Sequence, residues 1–496
     1  MSRTLARDRL GVPSVVFFVV AAAAPLTVVA GGATTGYAIT GVTGMPVAYL
    51  LVAVILTLFA VGYVAMSRHI LNAGAFYTYV GHGLGRPAGV GGAMVALVAY
   101  NAMQVGLYGG FGAVTADLVN PRLGWDVAWW AYALAAWAIV GVLGVLRVDL
   151  NGRVLAAMLS AEIVITVVFD LVMLDHPTGG QVSWVTLSPS HLLTAGIGAA
   201  LVTAVTGFVG FEATVVFAEE TRDPRRTVAR ATYAALAVTG LLYAASAWAM
   251  SVATGPDRIV TAARTDGTQL IFNLVRPHLG QTLVTVGQVL FVTSLFAALL
   301  AFHNTVARYG FALGREAVLP VWLGRASRRT GAPATASTAQ TALALVVLGF
   351  YAAAGADPIT HLFFWVTVTG GLGVLILMTA TSAAVVGYFA RDPHDETLTR
   401  RLVAPATATV LLAGILWATV AGFDTLLGVT PDSPLRWLIP AGYVLTAGLG
   451  IAWAYRLRRA RPQVYAAIGL GANSAIPAGT YRSSAPPAHG RRSTPA

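Results

Sequence analysis

Long stretches without a single Asp, Glu, Lys or Arg alternate along the chain with short charged turns. The first gap runs from Leu10 to Ser67, 58 residues. One membrane-spanning helix needs about 20 apolar residues, so this gap holds two helices. The run Gly41-Val42-Thr43-Gly44-Met45-Pro46 supplies the turn between them. Further gaps cover 87–116, 127–146, 231–256, 277–307, 330–356, 358–390, 402–423 and 437–455. Two more apolar segments, near 153–174 and 191–218, carry acids in their interiors. The pattern predicts an all-α polytopic membrane protein with twelve spans and both termini on one side.

Composition agrees. Of 496 residues, 57% are hydrophobic and only 10% charged. Mean hydropathy is +0.73. A disordered chain and an ordinary soluble enzyme are both excluded. Every basic residue is Arg, and with the N-terminus inside, 26 of the 31 fall on inside segments. Arg122, Arg258, Arg264, Arg276 and Arg436 are the five outside. That asymmetry predicts cytoplasmic termini in the cytoplasmic membrane. The net charge of +11 is then directed at anionic lipid rather than nucleic acid. The Arg-bearing start and the apolar run after it read as an uncleaved first helix. Residues 457–496 read as a disordered cytoplasmic tail, rich in Ala, Pro, Ser, Gly and Arg beyond 472.

The absence of Lys removes a phosphate-binding Walker loop, and with it self-contained ATP-driven transport. The absence of Cys removes thiol catalysis and iron–sulfur ligation. Neither a His-Glu-x-x-His helix nor a Gly-x-Ser-x-Gly elbow occurs. No enzyme activity, cofactor or metal is expected.

Two spans are interrupted. In the first, Ala24-Pro25-Leu26-Thr27 places a proline mid-helix. Pro25 donates no N–H and frees carbonyls one turn earlier, and Thr27 sets a hydroxyl beside the break. In the sixth, Thr206-Gly207-Phe208-Val209-Gly210-Phe211-Glu212 combines two glycines with an acid. Each glycine weakens a helix by roughly 1 kcal/mol relative to Ala. A carboxylate within a span costs at least ~2.5 kcal/mol. Interrupted helices at corresponding positions of two halves point to inverted repeats with a central binding site.

These segments resemble the amino acid–polyamine–organocation permease family over roughly residues 10–455. Gly207 to Glu212, followed by Glu219-Glu220-Thr221-Arg222-Asp223-Pro224-Arg225-Arg226-Thr227-Val228, looks like its signature. Gly74-Ala75-Phe76-Tyr77-Thr78-Tyr79-Val80-Gly81, then Gly85 and Arg86-Pro87, is similar to its segment between the second and third spans. Asn304 to Arg308, Ala312-Leu313-Gly314-Arg315-Glu316 and Leu319-Pro320 are similar to the end of its eighth. The first helix departs from the family's Gly-Ser-Gly pattern, carrying Ala24-Pro25-Leu26-Thr27 before Gly31-Gly32.

The resemblance implies two inverted five-helix repeats, 12–174 and 191–390, followed by helices eleven and twelve over 403–456, with residues 1–11 as the cytoplasmic start. It implies a secondary transporter of an amino acid or related amine, by uptake or exchange; a polyamine or organocation carrier is the alternative. The expected substrate site comprises Ala23, Ala24, Pro25, Leu26, Thr27, Asn101, Gln104, Gly207, Phe208, Val209 and Gly210, with Phe208 as gate. Amides of the first break would bind the carboxylate and carbonyls of the sixth helix the ammonium. Glu212 is the first candidate for a coupling proton and Glu162 the second; Thr293 and Ser294 are the candidates should sodium couple instead. Asp170, eight residues after Glu162 and 80° around the helix, reads as structural. His303 reads as a hydrogen-bonded residue. Glu219, Glu220 and Asp223 are expected to brace the inward gate.

Overall fold

A computed structural model describes residues 19–20, 23–70, 75–146, 152–216 and 224–471. Residues 1–11 and 472–496, and Glu219, Glu220 and Asp223, lie outside the described residues. No strand forms among the described residues.

The architecture is helical throughout the described residues. The first segment turns as a π-helix over Thr27–Ala33 and continues as α1, Thr34–Thr40. Gly41 ends it at φ +67°, a left-handed conformation that suits glycine. Pro46 then sits in the first turn of α2, Met45–Ser67, where its missing N–H costs nothing. The predicted turn is thus built by the residues that announced it. There follow α3 (Arg86–Leu123), α4 (Trp129–Val145), α5 (Gly152–Asp175) and α6 (Ile197–Phe208). Then come α7 (Pro224–Thr254), α8 (Gln281–Arg315), α9 (Ala334–Ala353) and α10 (Trp365–Arg391), the last entered through a π-helix over Pro358–Phe364. The last two are α11 (Ala404–Ala421) and α12 (Leu438–Ala460).

Nine helices among the described residues are long and apolar enough to cross a bilayer, and α4 and α6 are shorter apolar ones. Their outer faces stay apolar: Trp417 and Val444 are each 74% exposed, and Phe350 70%. A water-facing bundle would not carry so many bare apolar side chains. Threonines inside the helices spend their hydroxyls on carbonyls one turn back, as Thr232 does on Val228 and Thr239 on Ala235. Each such bond satisfies a hydroxyl that lipid could not. α2 packs along α7, and α3 along α8 and α10.

Charged contacts gather the ends of α2, α8, α10 and α12 with the start of α3. Arg68 pairs with Glu396 at 3.1 Å, and Arg391 donates to the carbonyl oxygens of His82 and Gly83. The opposite end carries Arg264, bonded to the Ala38 carbonyl, and Arg436, near Asp424.

Residues 457–471 differ from the expected disordered tail. They complete α12, form a short helix over Pro462–Ala467 and fold back on the bundle. The Glu316 carboxylate accepts the amides of Gly469 and Gly471, each at 3.0 Å. Arg86 lies over the Tyr465 ring and donates to the Ala466 carbonyl. A compositional reading sees the arginines of this stretch and not the two amides that dock it.

Candidate functional site

Both expected interruptions are present. At the first, Ala24 takes φ +42°, which a residue with a Cβ adopts only where its surroundings impose it. The Ala23 carbonyl accepts the Tyr243 hydroxyl at 2.8 Å. At the second, α6 ends on Phe208, Val209 is extended at ψ 128°, and Gly210 takes φ +125° before a short helix over Ala213–Val216. Only glycine tolerates that Gly210 conformation without strain.

Glu212 holds the second break. Its carboxylate accepts the Gly210 N–H at 2.8 Å and the Tyr100 hydroxyl at 2.5 Å, while its carbonyl accepts the Tyr63 hydroxyl at 3.0 Å. Both carboxylate oxygens are therefore occupied within a side chain that is 1% exposed.

The two breaks border one small cavity of about 60 Å³. Ala23, Ala24, Thr27 and Val28 line it from the first break, and Thr206, Gly207 and Val209 from the second. α3 contributes Met103 and Leu107, α8 Ala298 and Phe302, and the α10 segment Phe363, Phe364, Thr367 and Val368. Among the described residues, no charged side chain lines it. The π-helix of the first interrupted region meets the π-helix that leads into α10 here: a Cβ on Gly31 would sit 3.0 Å from Phe363 Cζ. π-turns are rare and concentrate at functional sites.

Of the eleven expected substrate residues, Ala23, Ala24, Thr27, Gly207 and Val209 line the cavity. Pro25, Leu26 and Gly210 belong to the breaks without lining it. Phe208 packs against Tyr49 and Tyr243 instead of covering the cavity, with ring centroids 6.3 and 5.5 Å away. Asn101 donates to the Leu97 carbonyl of its own helix. Gln104 joins a buried chain in which His303 Nδ1 lies 3.1 Å away, His303 Nε2 faces Ser337 at 2.7 Å, and Gln340 donates to Gln104. The stripe on α3 therefore ties three helices together. Phe302, Phe363 and Phe364 give the cavity its aromatic wall. In the sequence they are ordinary apolar span residues, and nothing in their spacing singles them out.

The other acids separate in the same way. The Glu162 carboxyl faces Ser294 and the backbone N–H of Leu26. Ser294 in turn accepts from the Thr27 hydroxyl at 3.1 Å and the Thr27 N–H at 3.3 Å. One Glu162 oxygen has no hydrogen-bond partner. Thr293 is apart from this group, its hydroxyl returned to the Leu290 carbonyl. Asp170 accepts from Ser246 at 2.7 Å.

Thr35 and Phe364 line a second, wider space of about 1080 Å³, with Asp117, Arg264, Asp266 and Asp357 in its walls. It opens at the end opposite Arg68 and Arg391. Thr35 and Phe364 therefore form a wall common to vestibule and cavity.

Interrupted helices bordering a small cavity, with a vestibule beside it, are the arrangement of a transporter fold. A family model described as "Amino acid permease" matches residues 10–448. The chain belongs to that family, within the amino acid–polyamine–organocation superfamily, and is a multi-pass membrane protein. Uncharacterized transporters of Mycobacterium bovis and Mycobacterium tuberculosis are 28% identical over 252 residues, 51% of this chain. That alignment spans about half their length, 49%. Among solved structures, MhsT in complex with L-phenylalanine has a TM-score of 0.57 at 15% identity, over 84% of this chain and 100% of its own. A substituted variant of the Eremococcus coleocola manganese transporter has a TM-score of 0.53 at 11% identity, over 91% and 96%. Both likenesses are of fold.

Proposed function

We propose that the chain is a secondary transporter that carries an amino acid across the cytoplasmic membrane by alternating access, driven by protons. What carries the reading is that both interrupted segments border one cavity with no charged side chain in its wall among the described residues. A zwitterion's two charges then fall to backbone groups, which helix ends present without counter-ions. A polyamine carrier needs carboxylates facing its cargo. Glu212 is occupied by Tyr100 and Gly210, and Glu162 lies behind the first break. A metal cargo has no group of three His, Cys, Asp or Glu to hold it among the described residues. The fold neighbour solved with L-phenylalanine agrees with an amino acid cargo.

Alternating access is supported by the shared wall. Phe364 faces both spaces, so a movement at the π-turn before α10 would join vestibule and cavity. The pairing of α2 with α7 and α3 with α8, each five helices apart, suits two inverted five-helix repeats within twelve spans. The arginine distribution sets the termini and the Arg68–Arg391 end on the cytoplasmic side.

For coupling, Glu162 becomes the stronger candidate and Glu212 the brace. Glu162 reports on the first break through Leu26, and on α8 through Ser294. A proton there changes the charge beside a segment that must move. The test is uptake into proteoliposomes with an imposed pH gradient. Glu162→Gln should abolish gradient-driven accumulation while solute counterflow survives. Wild-type counterflow also separates a carrier from a channel. Unchanged pH dependence in Glu162→Gln would overturn the assignment.

A further inference from the structure

The cavity's polar groups can be accounted for one by one, and the account bears on what fits. Five threonines line it: Thr27, Thr35, Thr203, Thr206 and Thr367. None has its hydroxyl proton to offer. Thr35 donates to the Gly31 carbonyl at 2.6 Å, Thr203 to Ala199 at 2.8 Å and Thr206 to Val202 at 2.7 Å. Thr367 donates to the Phe363 carbonyl at 2.5 Å, and Thr27 to Ser294 at 3.1 Å. The remaining wall beyond the breaks is Met103, Leu107, Phe302, Phe363, Phe364 and Val368. Charged side chains begin only in the vestibule beyond Phe364, at Asp117, Arg264, Asp266 and Asp357.

We infer that the cavity takes a neutral amino acid with an apolar side chain. The inference rests on the proposed amino acid transport and adds its specificity. Backbone at the two breaks deals with the ammonium and carboxylate common to all amino acids. The side chain meets carbon and threonine oxygens whose protons are already spent. A carboxylate there would lose its water and find no donor, and a guanidinium or an amide would find only a few hydroxyl oxygens in exchange for its water. Apolar side chains lose nothing by the same transfer.

Isosteric ligand pairs read this directly. In proteoliposomes loaded with unlabelled substrate, counterflow of labelled L-leucine is competed by L-leucine, L-asparagine, L-valine, L-threonine, L-phenylalanine, L-arginine, L-glutamate, putrescine and isoamylamine. Leucine should compete at least about 100-fold better than asparagine, arginine or glutamate, and valine about 10-fold better than threonine, since a buried hydroxyl without a partner is penalised. Arginine, glutamate or asparagine competing as well as leucine would overturn the specificity and leave amino acid transport standing. Isoamylamine, leucine without its carboxylate, competing as well as leucine would overturn the amino acid reading instead. So would an absence of counterflow with every labelled amino acid of the series, and the inference would fall with it.

Discussion

Replacing Glu212 separates a brace from a proton carrier. The Glu212 carboxylate satisfies two buried donors, the Gly210 N–H at 2.8 Å and the Tyr100 hydroxyl at 2.5 Å. Glu212→Ala leaves both without a partner. Each such orphan costs about 1–3 kcal/mol, so the variant should lose roughly 2–6 kcal/mol. Glu212→Gln keeps one acceptor and turns an amide NH2 toward the other donor, for a loss of about 1–3 kcal/mol. For domains of 150–250 residues, 1 kcal/mol moves a melting point by about 2–4 °C, and less for a longer chain. The expected order of melting is therefore wild type, then Gln, then Ala, with Ala lower by several degrees. Tryptophan fluorescence of detergent-solubilised protein, heated at one fixed rate, reads that order. Transport is then measured on the folded fraction. Glu212→Gln should still accumulate substrate under a pH gradient, with the wild-type dependence on pH. The reasoning is refuted if both variants melt with the wild type, or if Glu212→Gln melts normally and loses only its pH dependence. The second result would make Glu212 the coupling carboxyl and Glu162 a bystander.

Three further outcomes follow from particular contacts. Gly207→Leu places a side chain where a Cβ alone would lie 2.8 Å from Val28 Cγ1, at the cavity wall; uptake should fall at least 100-fold while the protein still reaches the membrane, as fluorescence-detected gel filtration would show. Glu316→Ala removes the acceptor of the Gly469 and Gly471 amides; at about 1.5–3 kcal/mol per charge-assisted bond, residues 462–471 should release, read as faster hydrogen exchange or proteolysis there, with substrate affinity unchanged. Gln104→Leu breaks the chain joining α3, α8 and α9 through His303 and Gln340; melting should drop by the worth of two or three buried partners, roughly 2–5 kcal/mol, while the leucine competition constant moves less than about 2-fold.

Much of this architecture was legible because lipid is an unforgiving solvent. A span must be uncharged for some twenty residues, so the gaps between charges mark helices almost without further argument. The breaks were legible for a related reason. Pro25, and the pair Gly207 and Gly210, each undo a helix locally, and a buried Glu212 beside one of them demands an explanation. The role of that acid was not legible. Its partners Tyr100 and Tyr63 lie 112 and 149 residues away in the chain, on α3 and α2. From sequence, an acid beside a break could brace it, titrate or touch cargo, and only the hydrogen bonds at both of its oxygens distinguish the first. Gln104 misled in the same way, since a polar stripe facing the bundle interior can serve a neighbouring helix as well as a ligand.

The cavity wall was invisible for the opposite reason. Phe302 and Phe350 are both phenylalanines in apolar spans, and the sequence treats them alike. One is 4% exposed against the cavity and the other 70% exposed on the outer face. A soluble protein would betray the difference, because an outward phenylalanine there meets water and is usually replaced. In a membrane both directions are apolar, so hydrophobicity carries no sign of inside or outside. The polar residues are then the ones a sequence reading selects as ligands, and here they turn out to hold helices together. This bears on the proposed specificity. A site for a charged cargo would have announced itself through charges inside the spans. A site for an apolar side chain, with the zwitterion left to broken backbone, is the kind that leaves only a proline, two glycines and an acid to be read.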